Sequence, residues 1–247
     1  MAELRPKMLV ERIEVPKAPE ILANSLREKI LTGTYAEGAP LPNERDLAEM
    51  SGLSRTSVRE ALRILEAEGM ITTRSGRNGG SVPRLPGQER LVRSIQLFVR
   101  SRRVRFGSLL EVRETLEPQL ARLAALHRDA GDLEKLHAIQ TRMETSLDQI
   151  KEFTHMNVEW HMAVVQASHN ELMIAFWQGI HTILHNAAEI DETYNSSSVT
   201  AAVSKAHRRI LEAIVNRDAD AAARRMARHM RAYMEHIQPR ASPDTEL

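Results

Sequence analysis

The chain has 247 residues, 42% of them hydrophobic, which is enough for two modest domains with real cores. It has no cysteine, which excludes a disulfide framework and thiolate metal or catalytic sites. The net charge of +1 conceals a split: residues 1–105 carry +6, residues 106–247 carry −5, and all ten histidines lie at or after His127. A basic front end points to a polyanionic partner, and the two halves are expected to do different chemistry.

Residues 1–15 are polar, without a long period, and are expected to be an arm. Their MAELRPKMLV start has no apolar signal core, and no later run approaches the roughly 18 apolar residues of a membrane span. A cytoplasmic protein without membrane contact is expected. Ala18 to Leu31 carries Ile21, Leu22, Leu26, Ile30 and Leu31 at helical spacing, ended by Gly33. Asn43 is a candidate N-cap for a helix to about Met50, broken at Ser51-Gly52. Ser54 caps the next, Arg55 to Glu68, with Val58, Ala61, Leu62 and Leu65 on one face and Gly69 as its stop. Met70 to Thr73 and Ser81-Val82 read as short strands around the glycine-rich turn Ser75 to Gly80.

Three helices and a two-stranded wing make a winged helix-turn-helix, expected over residues 16–84, with a linker at 85–90. In such a unit the start of the third helix faces base edges. Here it reads Ser54-Arg55-Thr56-Ser57-Val58-Arg59: two guanidiniums able to take guanine acceptors and three hydroxyls able to bond phosphate or base. Arg45 is placed to reach the same groove, and Gly76 and Arg77 sit in the wing turn. The competing reading is that Arg45, Arg55 and Arg59 are solvated charges paired with Glu44 and Glu60.

From Glu89 onward the period is helical, with helices expected near 89–102, 106–128, 132–147, 150–168, 170–194, 199–216 and 219–237. Breaks are expected near Gly107, Gly131, Asn170 and Ser196 to Ser198. The second half therefore reads as an antiparallel all-α bundle of six to seven helices over residues 91–237, with a tail at 238–247.

The segments Leu41-Pro42-Asn43-Glu44-Arg45-Asp46-Leu47-Ala48, Gly52 to Leu62 and Leu65-Glu66-Ala67-Glu68-Gly69 resemble the winged helix of the GntR family. Asn43 stands where that family usually has Ser or Ala. The resemblance implies DNA contact by Arg45, Ser54, Arg55, Thr56, Ser57 and Arg59, with Gly76 in the wing tip. The second half resembles the FadR subfamily, through Glu111 to Glu117, Trp160-His161, Ser168-His169-Asn170, His207 to Ile210 and His229.

Many such ligand domains hold a divalent metal on one carboxylate and three histidines. The matching set here is Asn157, His161, His207 and His229, with Zn or Ni as the ions that neutral imidazoles suit. Asn157 and His161 are four apart and share a helix face; on spacing alone, so do His181 and His185. Asn157 replaces the usual Asp, which weakens the site. Arg113 matches an arginine that often lines the effector pocket, and a cation beside it favours a small organic acid. An Arg113–Glu117 pair on the helix surface is the alternative for that residue. Trp160, Phe176 and Trp177 are candidates for apolar wall, with plain core filling as the alternative.

The expected function is a ligand-responsive regulator, in the first instance a repressor, that binds a palindromic DNA operator as a homodimer. Two other classes remain in view at this stage. A metal-dependent hydrolase on the His-rich bundle lacks any His-Glu-x-x-His pattern, nucleophile elbow or phosphate loop. A ligand-free architectural DNA binder requires a pocket-free bundle.

Overall fold

Residues 16–74, 80–188 and 196–237 are described by the structure, a computed structural model of the chain. The chain divides into two units, residues 1–87 and 88–247.

The first unit has α1 (Ala18–Leu31), α2 (Glu44–Ser51), α3 (Arg55–Glu68) and an antiparallel pair, β1 (Ile71–Arg74) and β2 (Gly80–Pro83), in register Ile71 to Pro83. Local chemistry sets the boundaries. Asn43 Oδ1 accepts from the N–H groups of Arg45 and Asp46, both at 3.0 Å, while its amide donates to Asp46 Oδ2 at 2.7 Å. Ser57 N–H donates to Ser54 Oγ at 3.1 Å, so Ser54 caps α3. Gly52 (φ 69°) and Gly69 (φ 71°) end α2 and α3 in the left-handed region, where a Cβ is strained. Val58, Ala61 and Leu65 are fully buried against Ala23, Leu26, Ile30, Leu47 and Ile71. The helix-turn-helix is thus locked by one apolar stripe of α3, which leaves the start of that helix to solvent. Gly76 and Arg77 lie outside the described residues.

The second unit is α4 (Gln88–Ser101), α5 (Phe106–His127), α6 (Ala130–Thr145), α7 (Ile150–Gln166), α8 (Glu171–Ala188), α9 (Ser197–Val215) and α10 (Ala219–Ile237). Its main core joins α5, α6, α7, α9 and α10 through Leu136, Met143, Phe153, Met156, Trp160, Ile210, Ile214, Met226 and Met230. Helix α4 packs on α8, where Ile95 fits over Gly179: a Cβ there would come within 2.8 Å of Ile95 Cβ.

Several expected boundaries move. Gln88, Glu89 and Arg90 already form the first turn of α4, inside the expected linker. Gly131 is no break. It sits in the first turn of α6, whose start is set by Asp129 accepting from Asp132 N–H at 2.8 Å and by Asp132 accepting from Asp129 N–H at 2.9 Å. Residues 189–194 of the expected 170–194 helix lie outside the described residues. Three turns pass through left-handed residues other than glycine, Arg103, His169 and Arg217. At two of them side-chain bonds offset the strain. His169 Nε2 meets Asp132 Oδ2 at 2.6 Å, and Arg217 Nη1 donates to Leu126 O at 2.6 Å. Among the described residues no helix is long and apolar enough to cross a membrane.

Candidate functional site

In the first unit, Arg45, Ser54, Arg55, Thr56 and Arg59 are exposed and Ser57 is half-buried, all at the start of α3 or on the helix before it. Arg59 Nε donates to Glu44 Oε2 at 2.7 Å, and Arg45 Nε lies 3.7 Å from Asp46. The pairing expected under the solvated-charge reading is therefore partly present. It ties Arg59 to α2 through Nε. Such exposed pairs contribute only about 0–1 kcal/mol to stability. Ser54 and Ser57 share a 3.0 Å hydroxyl contact besides the cap.

In the second unit, three histidines from three helices converge. His161 (α7), His207 (α9) and His229 (α10) are all buried, and each places a ring nitrogen within 4.8 Å of the others. His207 Nε2 is 3.0 Å from His229 Nε2, which is 3.4 Å from His161 Nε2. The Trp160 ring stacks on His207 at 3.9 Å and 10°, fixing its plane. Asn157, one turn before His161, is buried, and its Oδ1 has no hydrogen-bond partner among the described residues.

Glu117 on α5 completes the cluster, and sequence reasoning missed it. It accepts a hydrogen bond from His161 Nδ1, and Arg113 Nε donates to its other oxygen at 2.6 Å. The Arg113–Glu117 pair exists, but not on the helix surface: the side chains are 11% and 2% exposed. A signal was present, since Glu117 falls at helical spacing among Leu110, Leu120, Ala121 and Ala124, on the buried face of α5. Burial alone would raise the Glu117 carboxyl, but Arg113 and His161 outweigh it and hold the pKa at about 2. The Arg113 guanidinium carbon also sits 5.0 Å from the Tyr233 ring centroid and 5.9 Å from that of Trp177.

His207 and His229 are held neutral. Burial, then the neighbouring His229, His161 and Arg113, push His207 well below the usual imidazole range. Burial, then the neighbouring His161 and Arg113, bring His229 down to about 3, although Glu117 opposes this. The hydrogen bond to Glu117 engages His161 Nδ1 and turns its Nε2 towards the centre. Imidazole nitrogens gathered about one point are a cation-binding arrangement.

The other expected residues are placed as follows. His181 is half-buried, with Nε2 3.3 Å from Val158 O, and takes no part in the cluster; the His185 side chain lies outside the described residues. Trp160 and Trp177 are buried, whereas Phe176 is exposed.

Two family models match the chain: "Bacterial regulatory proteins, gntR family" over residues 20–79 and "FCD domain" over residues 108–232. The Glc operon transcriptional activator of Escherichia coli (strain K12) is 30% identical over 225 residues, covering 88% of either chain. This chain belongs to the GntR family of bacterial transcriptional regulators. It is a DNA-binding regulator with an FCD domain, not an enzyme. The Putative L-lactate dehydrogenase operon regulatory protein of the same organism is 29% identical, covering 85% of this chain and 82% of that one. Among solved structures, Streptococcus agalactiae GntR has the same fold, with a TM-score of 0.57 and 24% identity over 88% of this chain and 99% of that one.

Proposed function

We propose that this regulator reads its operator through Arg45, Arg55, Thr56 and Arg59 at α3, aided by Ser54, Ser57 and the wing residues Gly76 and Arg77. We also propose that its FCD domain is a metal-assisted sensor of a small organic acid. The protein binds a two-fold operator as a homodimer, because protein symmetry mirrors the half-sites.

The observation that carries the sensor reading is the spacing of the three Nε2 atoms, 3.0 and 3.4 Å. Two nitrogens about 2.1 Å from one ion and roughly 90–110° apart lie roughly 3.0–3.4 Å from each other. The cluster has the dimensions of a half-filled coordination shell. Asn157 Oδ1, buried and without a partner, is available as a fourth ligand. The donor set suits Zn or Ni. When bound, the ion supplies a Lewis-acid position for an effector carboxylate. The chain's own residues hold His207 and His229 neutral, orient the His161 ring through Glu117, and keep the Glu117 carboxylate ionised through Arg113. The lactate-related name of one relative is consistent with an acid as effector. Effector binding alters operator affinity only to the extent that the acid prefers one arrangement of the protein over another.

Elemental analysis of the purified protein, with thermal shift before and after chelation, tests the sensor reading. About one transition metal per chain, absent in His161→Ala, is expected; no metal after loading with Zn or Ni overturns it.

A further inference from the structure

A groove of about 430 Å³ runs between α9 and α10. One wall is a stripe of short aliphatic side chains on α9, Val199, Ala202, Val203 and Ala206, at the spacing of a single helix face. The α10 wall includes His229 and Tyr233, four residues apart. His229 thus belongs both to the groove and to the histidine cluster, where its Nε2 is 3.0 Å from that of His207. The groove adjoins the proposed metal position through this one ring.

Charge lies along the same groove. Arg209, Arg225 and Arg228 contribute to its lining. Arg225 is engaged by the Arg209 carbonyl oxygen and lies 3.8 Å from Glu212. Arg209 and Arg228 are exposed, with no carboxylate partner among the described residues. They give the mouth a positive potential that attracts an acid.

We propose that this groove takes the body of the effector, and that the effector is an organic acid carrying an aryl or branched aliphatic group. The proposal rests on the metal and carboxylate reading above and specifies its ligand. The carboxylate lies at the metal beside His229, and the apolar body lies along the α9 wall. Two physical arguments select this class. The volume falls in the roughly 300–1,000 Å³ range of small-molecule pockets, and a three-carbon acid leaves most of it empty. Between Ser198 and Arg209 the α9 wall is Val and Ala alone, so an aryl or branched aliphatic group packs along it, whereas hydroxyls lying there find hydrogen-bonding partners only at its ends or across the groove on α10.

Calorimetric titration of the full-length, zinc-loaded protein with lactate and with 3-phenyllactate tests this, because the two acids share a head group. 3-Phenyllactate should bind about tenfold tighter or better, the order expected from burying a ring's apolar surface. Ala202 is exposed, so Ala202→Trp fills the groove without entering the core. That variant should erase the preference, 3-phenyllactate losing affinity by the larger factor, with zinc content unchanged. Equal affinities, or a preference that survives in Ala202→Trp, overturn the groove assignment while the metal and carboxylate reading stands. Zinc binding with no response to either acid overturns both.

Discussion

Glu117 and His161, 44 residues apart on α5 and α7, share a buried hydrogen bond between carboxylate and imidazole Nδ1. That bond makes the cluster more than three neighbouring rings. It sets which nitrogen of His161 faces inward, and it raises the basicity of that nitrogen. Arg113, on the other oxygen, keeps the carboxylate ionised where burial alone would neutralise it.

Glu117→Gln tests this arrangement. The amide keeps the shape and a hydrogen bond to His161 but loses the charge. Zinc affinity, read by competition with a chromogenic chelator, should fall about 10–100-fold, as for the loss of other outer-shell carboxylates. An unchanged affinity would mean that Glu117 only fills space. Circular dichroism serves as the control, since the neutral amide leaves Arg113 buried without its counter-charge.

Asn157→Asp should act in opposite directions on the two states. The Asn157 Oδ1 is buried without a partner, so a carboxylate at the same place adds charge at the proposed metal position. Metal affinity should rise, about tenfold or more, while the metal-free form loses stability because an unpaired buried charge is costly. Thermal melts with and without zinc would show this as a larger metal-induced shift than in the parent protein. A smaller shift would place Asn157 outside the ligand set.

Glu44 accepts a hydrogen bond from Arg59 Nε, which under the proposed operator reading makes it a positioning residue. Glu44→Gln should weaken binding to the preferred operator, and by less than Arg59→Ala, for which about 1–3 kcal/mol is expected. The double variant should be no worse than Arg59→Ala alone, because the Glu44 effect passes through Arg59. Additive losses in a footprinting titration would show that Glu44 acts independently.

The DNA-binding half was more legible in the sequence than the sensor half, and the reason is local. Asn43, Ser54, Gly52 and Gly69 mark helix ends by chemistry that acts within four residues. In the bundle the ends of α4, α7 and α9 use Arg103, His169 and Arg217, residue types that carry no turn signal. His169 and Arg217 tolerate left-handed backbone because Asp132 and the Leu126 carbonyl, distant in sequence, hold their side chains. The histidine set was legible only through family resemblance, since His181 and His185 have the same spacing as Asn157 and His161. Glu117 entered only in the alternative reading of Arg113, as its surface partner, because a helical repeat does not reveal which polar residue on an apolar face has a partner from another helix.

Gly179 provides the last test, of packing between α4 and α8. It carries no unusual turn; its value is the space it leaves, because an added Cβ would lie 2.8 Å from both Cβ and Cδ1 of Ile95. Helix propensity alone favours alanine there by about 1 kcal/mol. Overpacking a well-filled contact costs about 1–3 kcal/mol, so the clash should win and Gly179→Ala should lower the melting temperature. Ile95→Ala removes Cδ1 and Cγ2, two of the three clashing atoms, at the expense of a cavity. In the Gly179→Ala background it should therefore cost much less than in the parent. If Gly179→Ala proves stabilising in both backgrounds, α4 does not seat on α8 through this contact.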